Sequence, residues 1–209
     1  MISRQELDEN LSELRRRDPQ LKQFGASTHR YKLNPPAQIV EIEQFESDAG
    51  VKLPLEYLNF LTRCGNGGAG PHYGLLSLEQ VRSEFDDEFP LKLAGNHFSA
   101  PLSPHEERCY PVQGAIPIAH GGCGNMALIV TTGPDRGNIW FYSVDERLLP
   151  FSHEMPVYRL NSTIEETLAA NSLRNGRLLA DQSTRWQFVR WYEDWLTRCL
   201  QEVRDPAIR

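Results

Sequence analysis

The sequence is poor in cysteine and has no long hydrophobic run. Its four cysteines are far apart: Cys64, Cys109, Cys123 and Cys199. Because no close pair suggests a disulfide framework, we expect reduced thiols and a cytoplasmic protein. The longest apolar run, Met126 to Val130, is far shorter than the ~20 residues that a membrane-spanning helix needs. The first eighteen residues alternate leucines with charged side chains, which does not fit a secretory signal peptide.

Positive charge is also scarce. Lysine and arginine total 22 against 28 acidic residues, which gives a net charge of -6 at pH 7. Nucleic-acid and membrane-surface binders usually have a basic surface, so neither partner is expected. The acidity is concentrated between Glu79 and Glu88, where the only base is Arg82. We interpret Asp86, Asp87 and Glu88 as a contact site for a basic protein partner, the alternative being a solvated helix end.

The remaining composition is ordinary for a soluble globular protein, with 209 residues of which 40% are hydrophobic and 24% charged. A chain of this length buries about 70% of its unfolded surface and needs no metal or disulfide to fold. We expect an N-terminal helix and connector over residues 1–36, one domain over residues 37–203, and a tail over residues 204–209.

Apolar residues at helical spacing predict helices in the first part of the chain. The leucines at positions 7, 11 and 14 predict an N-terminal helix that ends before Pro19. A second helix over residues 37–49 ends at Gly50, a left-handed cap, and a third begins near Pro54. The second helix is expected to bury Ile39, Ile42, Phe45 and Ala49, and the third Leu55, Leu58 and Leu61.

Glu46 breaks the apolar stripe of the second helix. At 100° per residue its side chain falls between those of Ile39 and Ile42. A buried carboxylate needs hydrogen-bond donors. We expect Glu46 to be a structural anchor that accepts backbone N–H groups from a glycine turn, with Gly67 and Gly68 as candidate donors. The functional alternative is a general acid or a partner contact.

Three strand-like runs follow, at residues 115–119, 126–132 and 138–142. Glycine-rich turns separate them, which predicts an antiparallel meander. The middle run is apolar on both faces, as expected of a strand covered by helices. Residues 86–113 contain several prolines and glycines and predict a long surface loop. A last helix, about residues 183–203, presents a core-packing face: Phe188, Tyr192, Trp195, Leu196, Cys199 and Leu200.

Two glycine-rich turns, residues 66–70 and 121–125, are candidate phosphate-binding loops. The first has no lysine and follows a helix, and the second does not enter a helix, so neither fits a Walker or a dinucleotide-binding loop. We interpret both as turns that shape the fold. The predicted structural anchors in and around them are Pro54, Gly67, Gly68, Gly121, Gly124 and Asn125.

His120 and Cys123 form a candidate reactive pair. They could supply two of the four ligands of a structural zinc site, but no second pair has ligand spacing. They could also act as base and nucleophile, but no orienting acid or oxyanion donor is evident. We favour an unliganded turn, and we expect no metal, no cofactor and no catalytic residue.

The order of these motifs resembles the SUKH superfamily. The motifs are Phe45-Glu46, Leu53-Pro54, Tyr57-x-x-Phe60-Leu61, Asn66-Gly67-Gly68, Ile116-Pro117-Ile118-Ala119, Gly121-Gly122-x-Gly124-Asn125 and Trp191-x-x-x-Trp195-Leu196. The resemblance covers about residues 39–203 and implies an α+β domain, with helices packed against a twisted, mostly antiparallel sheet. The N-terminal helix and the loop at residues 86–113 depart from the compact members.

The resemblance implies a binding protein, because this superfamily is not known for catalysis. Bacterial members are commonly immunity proteins that neutralise the toxins of competing cells, often nucleases. A fungal relative is a scaffold that regulates cell-wall synthesis. The leading prediction is therefore an immunity protein that blocks the active site or the substrate access of a cognate toxin. A regulatory scaffold is the alternative, and a cysteine-dependent enzyme comes third.

Overall fold

The structure, a computed structural model, describes residues 3–85, 97–103, 105–151 and 185–205. The helices are α1 (Arg4–Arg17), α2 (Ala26–His29), α3 (Ile39–Ala49), α4 (Leu55–Arg63), α5 (Leu78–Ser83) and α6 (Phe188–Arg204). The strands are β1 (Ala115–Gly122), β2 (Asn125–Val130), β3 (Ile139–Tyr142) and β4 (Leu148–Pro150). The strands pair antiparallel in chain order, so the predicted α+β fold is confirmed.

The two faces of the sheet are covered differently. Ile116, Ile118, Ala127, Ile129 and Ile139 belong to the same core cluster as the helices. Leu128, Val130, Trp140 and Tyr142 lie in a second cluster with Phe98 and Val112. The ring of Phe98 is 5.3 Å from that of Trp140. In the described part of the chain, a connecting segment rather than helices thus covers this face, and the expectation of a surface loop is wrong for Phe98 and Val112.

Isolated backbone bridges extend the sheet beyond β1. Leu75 pairs with Ala119 on one side and with Gly68 on the other, and Gly68 also pairs with Leu33. The two hydrogen bonds between Gly68 and Leu75 measure 2.9 and 2.7 Å. The first glycine-rich turn therefore joins the N-terminal connector to the sheet.

Helix α1 packs on helix α6. Leu7, Leu11 and Leu14 are buried, the two helices are in contact, and Glu13 accepts a 2.7 Å hydrogen bond from Arg204. Burying one leucine stripe stabilises a helix of this length far more than its intrinsic propensity does. The predicted N-terminal helix is present, and the structure adds that it packs on the C-terminal helix.

The first residues of α3 and α4 lie outside the core. Ile39 is 60% exposed and Leu55 is 67% exposed, which contradicts their predicted burial. Each is the first residue of its helix, and the opening turn projects past the packed surface. The predicted apolar face of α6 is buried throughout, and its Tyr192 hydroxyl donates a 2.9 Å hydrogen bond to the Ala69 carbonyl.

Candidate functional site

The predicted acidic contact residues, Asp86, Asp87 and Glu88, lie outside the described residues. The described chain reaches Phe85 just before them. Glu84 lies near the end of this stretch, and its Oε1 is 2.7 Å from Nε2 of His120 on β1. The N-terminal part of the acidic stretch is therefore docked on the sheet.

Glu46 is buried, as predicted, but its donors differ from those expected. The backbone N–H of Leu53 donates to Oε1 at 2.8 Å, and the Lys52 ammonium lies 2.5 Å from Oε2. The predicted glycine donors are wrong, and the N–H of Gly68 instead donates to the Leu75 carbonyl. The chain after Gly50 folds back over the end of α3 and brings its own amide to the carboxylate.

Glu46→Ala is expected to lower the free energy of unfolding by about 1–3 kcal/mol, because it leaves the buried N–H of Leu53 without its acceptor. Lys52→Ala should change the stability by less than about 1 kcal/mol, since the Lys52 side chain is largely exposed. Urea unfolding of both variants measures the difference. Equal losses in the two variants would show that the ion pair, not the backbone contact, stabilises this site.

The second glycine-rich turn connects β1 to β2. Cys123 and Gly124 both have positive φ, 50° and 80°, as the two central residues of a tight hairpin turn require. Asn125 is buried, and its Oδ1 accepts the N–H of Val144 at 2.9 Å. Asn125 therefore ties this turn to the turn between β3 and β4.

Exposed apolar side chains meet at this end of the sheet. The rings of Phe24 and Tyr73 are 5.0 Å apart and are 44% and 40% exposed. A Cβ at Gly122 would lie 2.9 Å from Cε2 of Tyr73, and one at Gly124 would lie 3.6 Å from Cγ2 of Val144, which is 54% exposed. We name the strip formed by Phe24, Tyr73, Cys123 and Val144 the tip surface.

Carboxylates flank the tip surface. Asp145 and Glu146 follow Val144 in its turn, and both are exposed. Glu107 bridges to Arg147 through the backbone, while Arg108 is ion-paired with Glu106. The four acidic residues at positions 106, 107, 145 and 146 thus outnumber Arg108 and Arg147 in the segments around the β3–β4 turn, and their charge favours a cationic ligand there.

The sequence profile of the SMI1 / KNR4 family (SUKH-1) matches residues 36–170. The chain belongs to this family. The match spans α3 to α5 and the whole sheet, and it leaves α1 and α6 outside. Among curated proteins, none matches the chain significantly. No helix in the described part of this SUKH-1 protein is long and apolar enough to cross a membrane.

Two histidines of the SUKH-1 protein are held neutral by burial. His72 is half-buried, with its ring 6.1–6.3 Å from those of Phe141, Phe151 and Trp191. Burial lowers the pKa of His72 to about 4. Burial also lowers the pKa of His29 to about 4, and its Nδ1 accepts the N–H of Tyr31 at 3.0 Å. Neither imidazole carries charge at pH 7.

Acid is therefore expected to destabilise the fold well above the usual carboxylate range. Below pH 6.5 the unfolded chain binds protons on both histidines, whereas the folded chain does not until about pH 4. Stability is thus lost as the pH falls between these values, by about 2–4 kcal/mol from pH 7 to pH 5. Urea unfolding at the two pH values measures the loss, which His29→Gln should reduce. An equal reduction by His105→Gln, at an exposed site, would contradict the assignment.

Among the described residues, His120 and Cys123 are not hydrogen-bonded to each other. The Nε2 of His120 contacts Glu84 at 2.7 Å, and no hydrogen bond between described residues links His120 to Cys123. In the described ranges, no three His, Cys, Asp or Glu side chains are grouped so that they could hold a metal ion. The described residues thus contain no metal-ligand group, and Glu84 is a carboxylate partner of His120 that the sequence did not indicate.

The tip surface was not identified from the sequence, because its members come from four distant segments. Phe24 precedes α2, Tyr73 follows the first glycine-rich turn, and Val144 lies between β3 and β4. The sequence offered one indication of this surface: Val144 is an apolar residue within the polar turn Ser143 to Arg147. An apolar residue in a tight turn is seldom buried, so it can contribute to an exposed apolar cluster of the kind that binds a partner.

Proposed function

We propose that this SUKH-1 protein is an immunity protein that binds a cognate toxin through the tip surface and blocks its active site or substrate access. Two findings support the proposal. The family is one of immunity and regulatory proteins, and the tip surface exposes apolar side chains around one hairpin turn, beside carboxylates. The observation that carries the proposal is the strip, because exposed apolar clusters mark interaction sites.

The tip surface is held by the fold before any partner binds. Asn125 links the two hairpin turns by a 2.9 Å hydrogen bond, and the Tyr73 N–H donates to the His120 carbonyl at 3.1 Å. A surface that is already ordered loses little conformational entropy on binding, so more of the contact energy contributes to affinity. This suits an inhibitor that has to bind tightly.

We propose that Asp86, Asp87 and Glu88 add long-range attraction for a basic toxin. Charges at the edge of an interface chiefly raise the association rate, and salt weakens their effect. Reversing all three to lysine should slow association about tenfold at low salt and weaken protection of cells. Unchanged protection by the triple variant would remove these residues from the proposed interface.

A regulatory scaffold is the second candidate, and a separate exposed pair favours it. Ile39 and Val40, both about 60% exposed, form an apolar patch on the first turn of α3. Two unconnected apolar patches suit a protein that holds more than one partner. The scaffold predicts several weak partners and no toxin gene nearby.

Growth protection tests the proposed function. The reading frame beside this gene is cloned and expressed in a test bacterium, where a toxin should arrest growth. Co-expression of the SUKH-1 protein should restore growth, and Tyr73→Ala should weaken toxin binding at least tenfold in calorimetry. Val40→Ala is the matched control and should bind normally. A neighbour that is not toxic, or protection that survives Tyr73→Ala with unchanged affinity, contradicts the proposal.

A further inference from the structure

We infer that the tip surface binds an arginine-bearing basic segment of its protein partner, whose guanidinium groups stack on the Phe24–Tyr73 pair and whose remaining charge pairs with Asp145 and Glu146. The inference rests on the proposed function and specifies the chemistry of the partner. It follows from the exposed ring pair at one end of the tip surface and from the carboxylates at the other end.

The aromatic pair offers a surface for a flat cation. The planes of Phe24 and Tyr73 are tilted by 50°, and both rings are partly exposed. Tyr73 rests on the backbone of Gly122, since a Cβ there would come within 2.9 Å of its ring. Glycine thus lets the ring lie against the hairpin, where it is held in place. A guanidinium stacks on such a ring through its planar face.

The carboxylates lie at the other end of the same strip. Val144 touches the Gly124 side of the turn, and Asp145 and Glu146 directly follow it. Glu146 also accepts a weak contact from the thiol of Cys109, at 3.7 Å. Neither carboxylate is ion-paired with a cation among the described residues, so both are available to a cationic ligand. An extended segment that starts on the rings reaches them by crossing the hairpin turn.

The same features argue against other occupants. The phosphates of a nucleic acid would be repelled by Asp145, Glu146 and the net charge of -6. A second copy of this chain would bring the same carboxylates to the interface, at a cost in like-charge repulsion. A lysine-bearing segment would satisfy the carboxylates but would make weaker use of the rings, because its compact ammonium is more strongly hydrated.

Peptide titration tests the inference on the full chain. Capped hexa-arginine, hexa-lysine and hexa-glutamate are titrated into ¹⁵N-labelled protein at low salt. Hexa-arginine should shift the amide signals of Gly122, Gly124 and Val144 and bind about two- to fivefold more tightly than hexa-lysine. Tyr73→Leu, which keeps an apolar side chain, should remove this difference. The double variant Asp145→Asn/Glu146→Gln should weaken both basic peptides equally.

Leu55→Ala, at an exposed site on α4 outside both proposed surfaces, is the control and should leave both affinities unchanged. Equal binding of the two basic peptides, or amide shifts spread over acidic surfaces away from the turn, would overturn the inference. Its failure is separable from that of the proposed function. A toxin whose binding requires Tyr73 but ignores salt and the double variant would leave the function standing and remove the arginine segment. Arginine-selective binding at the tip surface, with no toxin found, would support the arginine segment and contradict the proposed function.

Discussion

Asp135→Ala is expected to lower the free energy of unfolding by about 3–5 kcal/mol. Asp135 and Arg185 form an ion pair whose side chains are both almost fully buried. The guanidinium of Arg185 also lies 4.9 Å from the Trp140 ring, and Asp135 accepts a 3.1 Å hydrogen bond from Asn138. Removing the carboxylate takes away the Asp135 partner of a cation that is almost fully buried, and the low polarity of that site makes the change costly.

Urea unfolding measures this loss, and a double-mutant cycle with Arg185→Met isolates the pair. The double variant should be more stable than Asp135→Ala, because it also removes the buried cation that has lost Asp135. Asp8→Ala is the matched control. It breaks the exposed Arg4–Asp8 pair and should cost no more than about 1 kcal/mol. A loss below about 1 kcal/mol for Asp135→Ala would contradict the expected cost of breaking this buried pair.

Gly68→Ala is the second change with a large expected effect. It should lower the free energy of unfolding by about 3–5 kcal/mol. Gly68 has a φ of +99°, a region that costs other residues about 1–2 kcal/mol. A Cβ at this position would also lie 2.5 Å from the Lys32 carbonyl oxygen and 2.9 Å from the Asn34 nitrogen. Both atoms belong to backbone, so relief of the clash must separate the bridge between Leu33 and Gly68.

Gly124→Ala separates the two contributions. Its φ is +80°, but the nearest atom to a built Cβ is 3.6 Å away. This control should therefore lose only the conformational part, about 1–2 kcal/mol. Thermal unfolding of both variants, followed by circular dichroism, compares them. Similar losses of stability in the two variants would show that the backbone around Gly68 moves to admit the Cβ at no cost in free energy.

Local periodicity predicted those parts of the fold that are determined by neighbouring residues. The leucine spacing of α1, the Gly50 cap and the aromatic face of α6 were all predicted from residues within a few positions of one another. Ile39 was misplaced because periodicity defines a face of a helix but not where the packed surface ends. Strand β4, with three residues, is too short for an alternation to be recognised.

Contacts between distant segments could not be predicted in the same way. Glu46 was correctly predicted to need a donor, but the choice between Leu53 and the glycine turn depends on how the chain folds back after α3. The tip surface was out of reach for the same reason. Phe24 and Tyr73 are neighbours only because the connector and the first glycine-rich turn meet beside β1. The acids at 86–88 were found from charge alone and remain a proposal.

The packing of α1 on α6 determines when folding can be completed during translation. Leu7, Leu11 and Leu14 are synthesised well before α6, the last of the described elements. Until α6 is synthesised, the leucine stripe of α1 cannot pack on it. Glu13 likewise cannot form its hydrogen bond with Arg204, 191 positions away. Contacts between such distant segments form slowly, and the apolar surface stays exposed to aggregation until they form. Nascent chains that stop short of α6 are therefore expected to expose this stripe, and the fold is completed only when α6 has been synthesised.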